Sequence, residues 1–584
     1  MSRRQSPKAG SLRALRHAHL EVIVGWKPYQ GEAYWDFDAV EKWCRALADA
    51  HPRWVQLETV GQSRYGRPML LLTLADHDHS KPQDNPAFWL DGGTHASEWT
   101  GVMSALYSVS QWVESLVAGD TGAEDWFSSH TIYVMPCISP DGFQAIHDGE
   151  PFLRSTLRPP PTGTVRTGFS PKDMDGDGAV RWMRWRHPAG PFVADPDVPL
   201  FMRPRTVDDD PADAWFLASE GEFLHWDGIR WTAASLEFGL DMNRNFPALW
   251  KPFSMFGMDG GAYPMSEPES RCVVETFAAR PNVGAVVTNH TYTGCLLSSP
   301  YSANDALPDS DIRMMQILGR DAIEGTDYRL FKIYPEFMYD DKITISGVWD
   351  DAISSVFGVL GYTLELWDPF RFAGVENKEP AKFFSDPDPD KIRTIIEAFS
   401  KEPGAATPWK PFDHPQLGAV EIGGLDYLHT VRNPPTRLLA KECERGHTVA
   451  DRLRKALPQV DASVDVLPCG TGAHRVRVCL ENTGFLPTSS LEYGATIGAA
   501  LPVSVHATTA DGLTLLEGAS AQDIGHLDGW GSMRAGASIN SFYSSLPARG
   551  HRGTASWLVE GSGDMTIEWQ AGRAGRGSLS VTIP

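Results

Sequence analysis

Four short runs of this chain are apolar over most of their length, without alternation: "PAFWLDGG" (86–93), "TIYVMPCI" (131–138), "GAVVTNH" (284–290) and "GYTLEL" (361–366). A strand with one wet face alternates apolar and polar residues. A strand apolar on both faces has to be covered on both, which is the condition of a parallel sheet sandwiched by helices. Helical spacing is present as well. "DFDAVEKWCRALADAHP" (36–52) sets Phe37, Val40, Trp43, Cys44 and Leu47 on one face, with Pro52 at its end, and "TGVMSALYSVSQWVESLVAG" (100–119) reads as a second helix. The expected class is therefore α/β, with a mixed, mostly parallel central sheet flanked by helices. Chemistry in such sheets gathers just beyond the carboxyl ends of the strands. His95, His290 and Glu365 all fall there.

The composition is that of an ordinary folded chain: 584 residues, 42% hydrophobic and 22% charged, long enough for more than one domain. A formal charge of −22 argues against nucleic acid as a partner and fits an enzyme of peptides or small molecules. The seven cysteines are scattered and never spaced Cys-x-x-Cys, so neither a disulfide framework nor a thiolate zinc site is expected. No apolar run is long enough to span a membrane, and no signal-peptide pattern follows the early arginines. A cytoplasmic location is the expectation. Oligomeric state is not legible.

Residues 1–30 read as a flexible basic arm and 31–457 as the catalytic domain. Within the latter, 148–240 is rich in Pro, Asp, Trp and Arg with little periodicity, which marks a long functional insertion rather than a linker. From 458 the texture changes. "HRVRVCLEN" (474–482), "DMTIEWQ" (564–570) and "GSLSVTIP" (577–584) alternate, so 458–584 is expected to be a small antiparallel β-sandwich.

His95 and Glu98, three residues apart, are by themselves a weak signal, because most such pairs are surface charges. A catalytic zinc takes three protein ligands and leaves one position open. His290, at a separate strand end, could be the third. Glu365 ends a buried strand, where desolvation raises a carboxyl pKa toward that of a useful base.

In chain order the sequence carries "GGTHASEW" (92–99), "CISPDGF" (137–143), "RWMR" (181–184), "DMNRNF" (241–246), "SEPES" (266–270), "NHTYTG" (289–294) and "TLEL" (363–366). This series resembles the zinc metallocarboxypeptidase family, the carboxypeptidase A-like peptidases, over roughly 30–455, with Ser139 where that family has Asn. The resemblance implies one zinc per chain on His95, Glu98 and His290, and Glu365 as general base and then acid. It implies that Asn243 and Arg244 hold the substrate's terminal carboxylate and that Arg184 stabilises the oxyanion, with Arg181 and Arg186 as competitors for that role. Tyr292 and Tyr339 would contact substrate; the family's tyrosine count lands on Ile343, and Tyr339 is the nearest candidate. Asp350 would form the base of the specificity pocket, where a carboxylate would select a basic terminal residue.

The implied activity is zinc-dependent hydrolysis of the C-terminal bond of peptides with a free α-carboxylate. A zinc amidohydrolase of the same fold, acting on N-acyl amino acids or cell-wall peptides, is the alternative. An inactive binding protein using the sandwich is the alternative from another class. Inside the insertion, "DMDGDGAV" (173–180) sets Asp173, Asp175 and Asp177 at alternate positions, as in a calcium loop, but Arg184 stands where the closing Glu of such a loop belongs. The competing reading is an acidic turn that bonds its own backbone.

Overall fold

The computed structural model describes residues 25–151, 153–339, 345–536 and 550–584. The four apolar runs lie next to one another in the middle of an eight-stranded mixed sheet. Its order is Val55–Gln62, Pro68–Leu74, Thr131–Met135, Ala87–Gly92, Val283–Thr291, Leu360–Leu366, Cys295–Ser298 and Arg329–Lys332. The strands from 131–135 through 360–366 are mutually parallel, and the flanking pairs bring in the antiparallel members.

Why these runs lack alternation is visible in the packing. Phe88 and Leu90 face the helix Trp99–Val117 and its neighbours, whereas Trp89 faces Phe277 and Val273 on the opposite side. Every residue of Ala87–Gly92, Thr131–Met135 and Val283–Thr291 is buried. The helix Phe37–Ala50 begins where the Asp36 carboxylate accepts the Ala39 N–H at 2.8 Å, and it buries Phe37, Val40, Trp43, Cys44 and Leu47.

The 148–240 region is more ordered than its composition suggests. Trp182–Arg186, Ala214–Ser219, Phe192–Ala194 and Met202–Pro204 join Gly418–Leu425 and Ala406–His414 in a six-stranded sheet, and Gly168–Pro171 pairs with Gly221–Leu224. Strands of three to six residues are too short to display a period, which is why the sequence looks irregular there.

Beyond residue 459 lie two four-stranded antiparallel sheets. One holds Val460–Gly470, Ala473–Asn482, Arg552–Gly561 and Leu513–Glu517; the other holds Ala521–Gly525, Val503–Thr509, Gly563–Gln570 and Arg576–Ile583. Val476, Val478, Trp557, Val505 and Ile567 share one core. This unit docks on the amino-terminal ends of the parallel strands. Ser490 Oγ donates to the Gly284 carbonyl at 2.6 Å and accepts the Leu360 N–H at 2.9 Å. The buried Arg573 guanidinium donates to the Gly358 and Ser489 carbonyls. The basic arm expected over 1–30 lies mostly outside the described residues. Among those described, no helix is long and apolar enough to cross a membrane.

Candidate active site

At the carboxyl ends of the central strands, register decides who meets whom. His290 pairs across with Glu365, and Asn289 with Gly92. After Gly92 the chain must turn sharply against the helix that follows. A Cβ on Gly92 would lie 2.7 Å from the Gly101 carbonyl oxygen, and Gly93 has φ +68°, so the two glycines are what permit the turn. The turn delivers His95 and Glu98, both buried, to the side of His290.

The donor atoms converge. His95 Nδ1 and His290 Nδ1 are 3.1 Å apart, and the Glu98 oxygens lie 2.9 Å from the first and 3.0 Å from the second. Zinc–nitrogen bonds of about 2.0–2.1 Å place tetrahedral ligand atoms roughly 3.3 Å apart, so the residues fit that ion. The outer nitrogen of His95 is 3.2 Å from Asp241 Oδ1, which orients the ring and leaves Nδ1 facing the cluster. The Thr291 N–H donates to Glu98 Oε2 at 3.0 Å.

The charges here are strongly biased. Burial opposes ionisation of Glu98, but His95 and His290 outweigh it and hold its carboxyl well below the usual range. Asp241 is likewise lowered, with Arg154, Arg244 and His95 overcoming its burial. Glu365 goes the other way: burial, reinforced by the Glu98 charge, pushes it up to about 8. Two carboxyls at one cavity are thus pushed in opposite directions, the pattern of a fixed ligand beside a proton carrier.

A cavity of about 300 Å³ opens onto this cluster. Its polar wall comprises Glu98, Asp241, Glu365, Arg154, Arg244 and Arg432; its apolar wall comprises Leu236, Phe253, Met255, Phe256, Met258, Phe337 and Phe384. Tyr292 and Tyr339 also line it. Arg244 is buried, with its guanidinium 5.1 Å from the Phe253 ring and Nη1 donating to the Asn243 carbonyl at 2.5 Å. Asn243 is set back: its Oδ1 accepts the Trp349 N–H at 2.9 Å.

Two expectations are corrected. Arg184 is not at the cavity. It lies on the strand Trp182–Arg186 with its guanidinium 4.5 Å from the Trp215 ring and 4.3 Å from that of Trp409, and it pairs with Glu421 at 2.6 Å. "RWMR" is part of the accessory sheet, so its spacing mimics the motif without its role. The guanidinium that faces the cluster belongs to Arg154, 3.0 Å from Glu98 and 3.5 Å from Asp241. The Arg154 carbonyl accepts the Ala96 N–H at 2.8 Å, tying this arginine to the ligand turn. Asp350 likewise does not line the cavity. It is buried near Tyr301 and Thr363, and burial raises its pKa.

Sequence reasoning also gave Asp241 no role and did not single out Arg432. The first stands within the quoted "DMNRNF"; the second lies far from every motif. Asp173, Asp175 and Asp177 do cluster, with oxygens within 4.8 Å of one another. They already accept backbone N–H bonds from Gly176, Gly178, Asp177 and Ala179, and Asp177 also holds Arg181 at 2.8 Å.

A family model described as zinc carboxypeptidase matches residues 40–183 and 215–386, more than half of the chain. A model described as a domain of unknown function matches 460–582. Carboxypeptidase B of Astacus astacus is 34% identical over 150 residues, 26% of this chain and 46% of that protein. Zinc carboxypeptidase A 1 of Drosophila melanogaster is 26% identical over 132 residues, 22% of this chain and 30% of that protein. The matches thus span under half the length of these curated relatives. A crystal structure of thrombin activatable fibrinolysis inhibitor is 16% identical, with a TM-score of 0.38 over 63% of this chain and 74% of that one.

Proposed function

The chain belongs to the zinc carboxypeptidase family, and from that premise we propose that it is an exopeptidase that hydrolyses the C-terminal bond of peptides with a free α-carboxylate. The observation that carries the reading is the meeting, in one cavity, of a three-donor metal cluster, a raised carboxyl and a buried arginine. A zinc ion held by His95, Glu98 and His290 would supply Lewis acidity and an acidified water. Glu365 takes a proton from the attacking water and returns it to the leaving nitrogen. Arg154 offers N–H donors to the oxygen on which negative charge grows. Arg244 grips the terminal carboxylate through its planar fork, and its buried Nε has no protein partner among the described residues.

The apolar wall supports an apolar terminal side chain rather than a basic one, since Asp350 stands outside the cavity. Zinc-loaded protein incubated with a peptide library, a C-terminally amidated copy of it and a set of N-acyl amino acids tests this. Release of single C-terminal residues from the free acids alone is expected. Cleavage of amidated peptides, or of N-acyl amino acids alone, overturns the exopeptidase reading, the latter in favour of the amidohydrolase. We further propose a cytoplasmic site of action, in keeping with seven unpaired cysteines. Calcium at Asp173, Asp175 and Asp177 is a separate proposal: their proximity supports it, and the N–H bonds they accept support the self-bonded turn. Calorimetric titration of the zinc-loaded protein with calcium decides between these, heat of binding lost in Asp173→Asn being the result expected for a site.

A further inference from the structure

A third guanidinium reaches the site from a stretch that the carboxypeptidase match does not cover. From the accessory strand Gly418–Leu425 the chain runs through residues 426–433 toward the ligand turn. Arg432 Nη1 stands 3.3 Å from Glu98 Oε1 and donates to the Thr291 carbonyl at 3.2 Å, while Nη2 donates to the Tyr427 hydroxyl at 2.9 Å. Its guanidinium lies 5.1 Å from the Tyr292 ring and 5.7 Å from that of Tyr427. The next residue, Asn433, is fully buried. Its Oδ1 accepts the Thr100 N–H and hydroxyl at 3.0 Å each, and its Nδ2 donates to the Ser97 carbonyl at 2.8 Å. Two consecutive residues thus bracket Glu98, one on its carboxylate and one on the backbone to either side.

Glu98 Oε1 is therefore shared by two arginines, because Arg154 Nη1 is also 3.0 Å away. The two are held unequally. Arg432 has a carbonyl, a hydroxyl and two ring faces to keep it in place, whereas the other partner of Arg154, Asp241, is at 3.5 Å. We propose that Arg432, with Asn433 behind it, is the positioning residue that fixes the Glu98 carboxylate for the metal, and that this leaves Arg154 able to turn to the substrate. The accessory sheet then has a purpose: it is the base from which the Arg432 segment is launched. The inference rests on the zinc reading above, and its test reads metal affinity rather than peptide cleavage.

Zinc affinity of the full chain is measured by competition with a chromophoric chelator, together with the visible spectrum of the cobalt(II) form and the melting of the metal-free protein. Partners of this kind typically contribute about 10–100-fold in metal affinity, so Arg432→Ala is expected to weaken zinc by that factor and to alter the cobalt spectrum. Arg432→Lys, which keeps the charge, should recover part of the loss, and Tyr427→Phe should show a smaller loss in the same direction. Arg154→Ala should retain zinc and lose turnover at saturating metal. Wild-type zinc affinity and cobalt spectra in Arg432→Ala and Tyr427→Phe would overturn the proposal, as would a greater loss of zinc in Arg154→Ala than in Arg432→Ala. Should Arg432→Ala fail to fold, Arg432→Lys and Tyr427→Phe decide on the same terms. A wild-type protein that binds no zinc overturns both this proposal and the function. One that binds zinc tightly yet cleaves nothing overturns the function alone.

Discussion

Replacing Arg154 and Arg184 one at a time with alanine separates the arginine at the chemistry from the arginine that stacks in the accessory sheet. Arg184 has a tryptophan ring within 4.5 Å and a second within 4.3 Å, and pairs with the partly exposed Glu421. A partly buried cation–π contact contributes about 0.5–2 kcal/mol, and such an ion pair about 0.2–1 kcal/mol. Losing them together costs on the order of 2–3 kcal/mol, all of it in the stability of that sheet. Arg154 faces Glu98 and Asp241 in the cavity wall. Removing one preorganised donor to a developing oxyanion costs about 10²–10³ in kcat, or about 2.7–4 kcal/mol. The two energies are close, so the observables have to separate them. Turnover of a blocked dipeptide at saturating zinc should collapse in Arg154→Ala and hold within a few-fold in Arg184→Ala. Thermal unfolding should reverse that order. A hundredfold loss of kcat in Arg184→Ala with unchanged melting, or near-normal turnover in Arg154→Ala, would refute the assignment.

Glu365→Gln should bind zinc like the wild type, measured by metal analysis, and lose about 10²–10⁴ in kcat as a proton carrier does. Arg244→Ala should lower kcat/KM on free-acid peptides roughly tenfold to a hundredfold, as for a charged hydrogen bond, while leaving any residual rate on amidated peptides unchanged; equal losses on both would move carboxylate recognition elsewhere. A pH effect is expected in the accessory region. Glu220 is buried beneath the acidic loop, where it accepts the Met174 and Arg181 N–H groups, and burial raises it to about 7. Its folded pKa exceeds its unfolded one, so the stability it confers is full below the unfolded pKa of about 4.3 and is lost as pH rises through 7. Melting followed from pH 4.5 to 8 should fall less steeply in Glu220→Gln, and parallel curves would count against the argument.

The central sheet was legible because burial on both faces leaves a strong mark: a strand apolar at successive positions has few other places to go. The candidate metal donors were legible as a group because two of them lie three residues apart on a glycine-released turn and the third ends a neighbouring run. Arg154 was missed for a physical reason. It follows the helix Pro140–His147 with no periodic element of its own, and "RWMR" further on offered the right residue types in the wrong sheet. Asp350 was placed by counting back from Glu365, but counting along a chain assumes that the segment between has its usual path. Here a short helix starting at Trp349 carries Asp350 into the interior, away from the residues that line the cavity, Arg244 among them. Arg432 had no local signal, because the contacts that bring it to Glu98 and Thr291 are with residues more than a hundred positions away.

Charge gives the site a selectivity that the fold alone does not. The chain carries a formal −22, so its exterior repels acidic peptides at long range. That field is screened beyond about 8 Å at physiological ionic strength. Inside the cavity the sign reverses. Arg154, Arg244 and Arg432 face Glu98 and Asp241, whose carboxyls are held ionised, and Glu365, whose carboxyl is raised by burial and by the Glu98 charge. Three guanidiniums, together with the zinc that His95, Glu98 and His290 would hold, give this wall a positive side. On the proposed function, the terminal carboxylate of a free-acid peptide would be drawn into that space, whereas additional carboxylates along the peptide would remain in the repulsive field outside. An exopeptidase of this build would hold peptides by their terminal carboxylate and discriminate among them through their side chains.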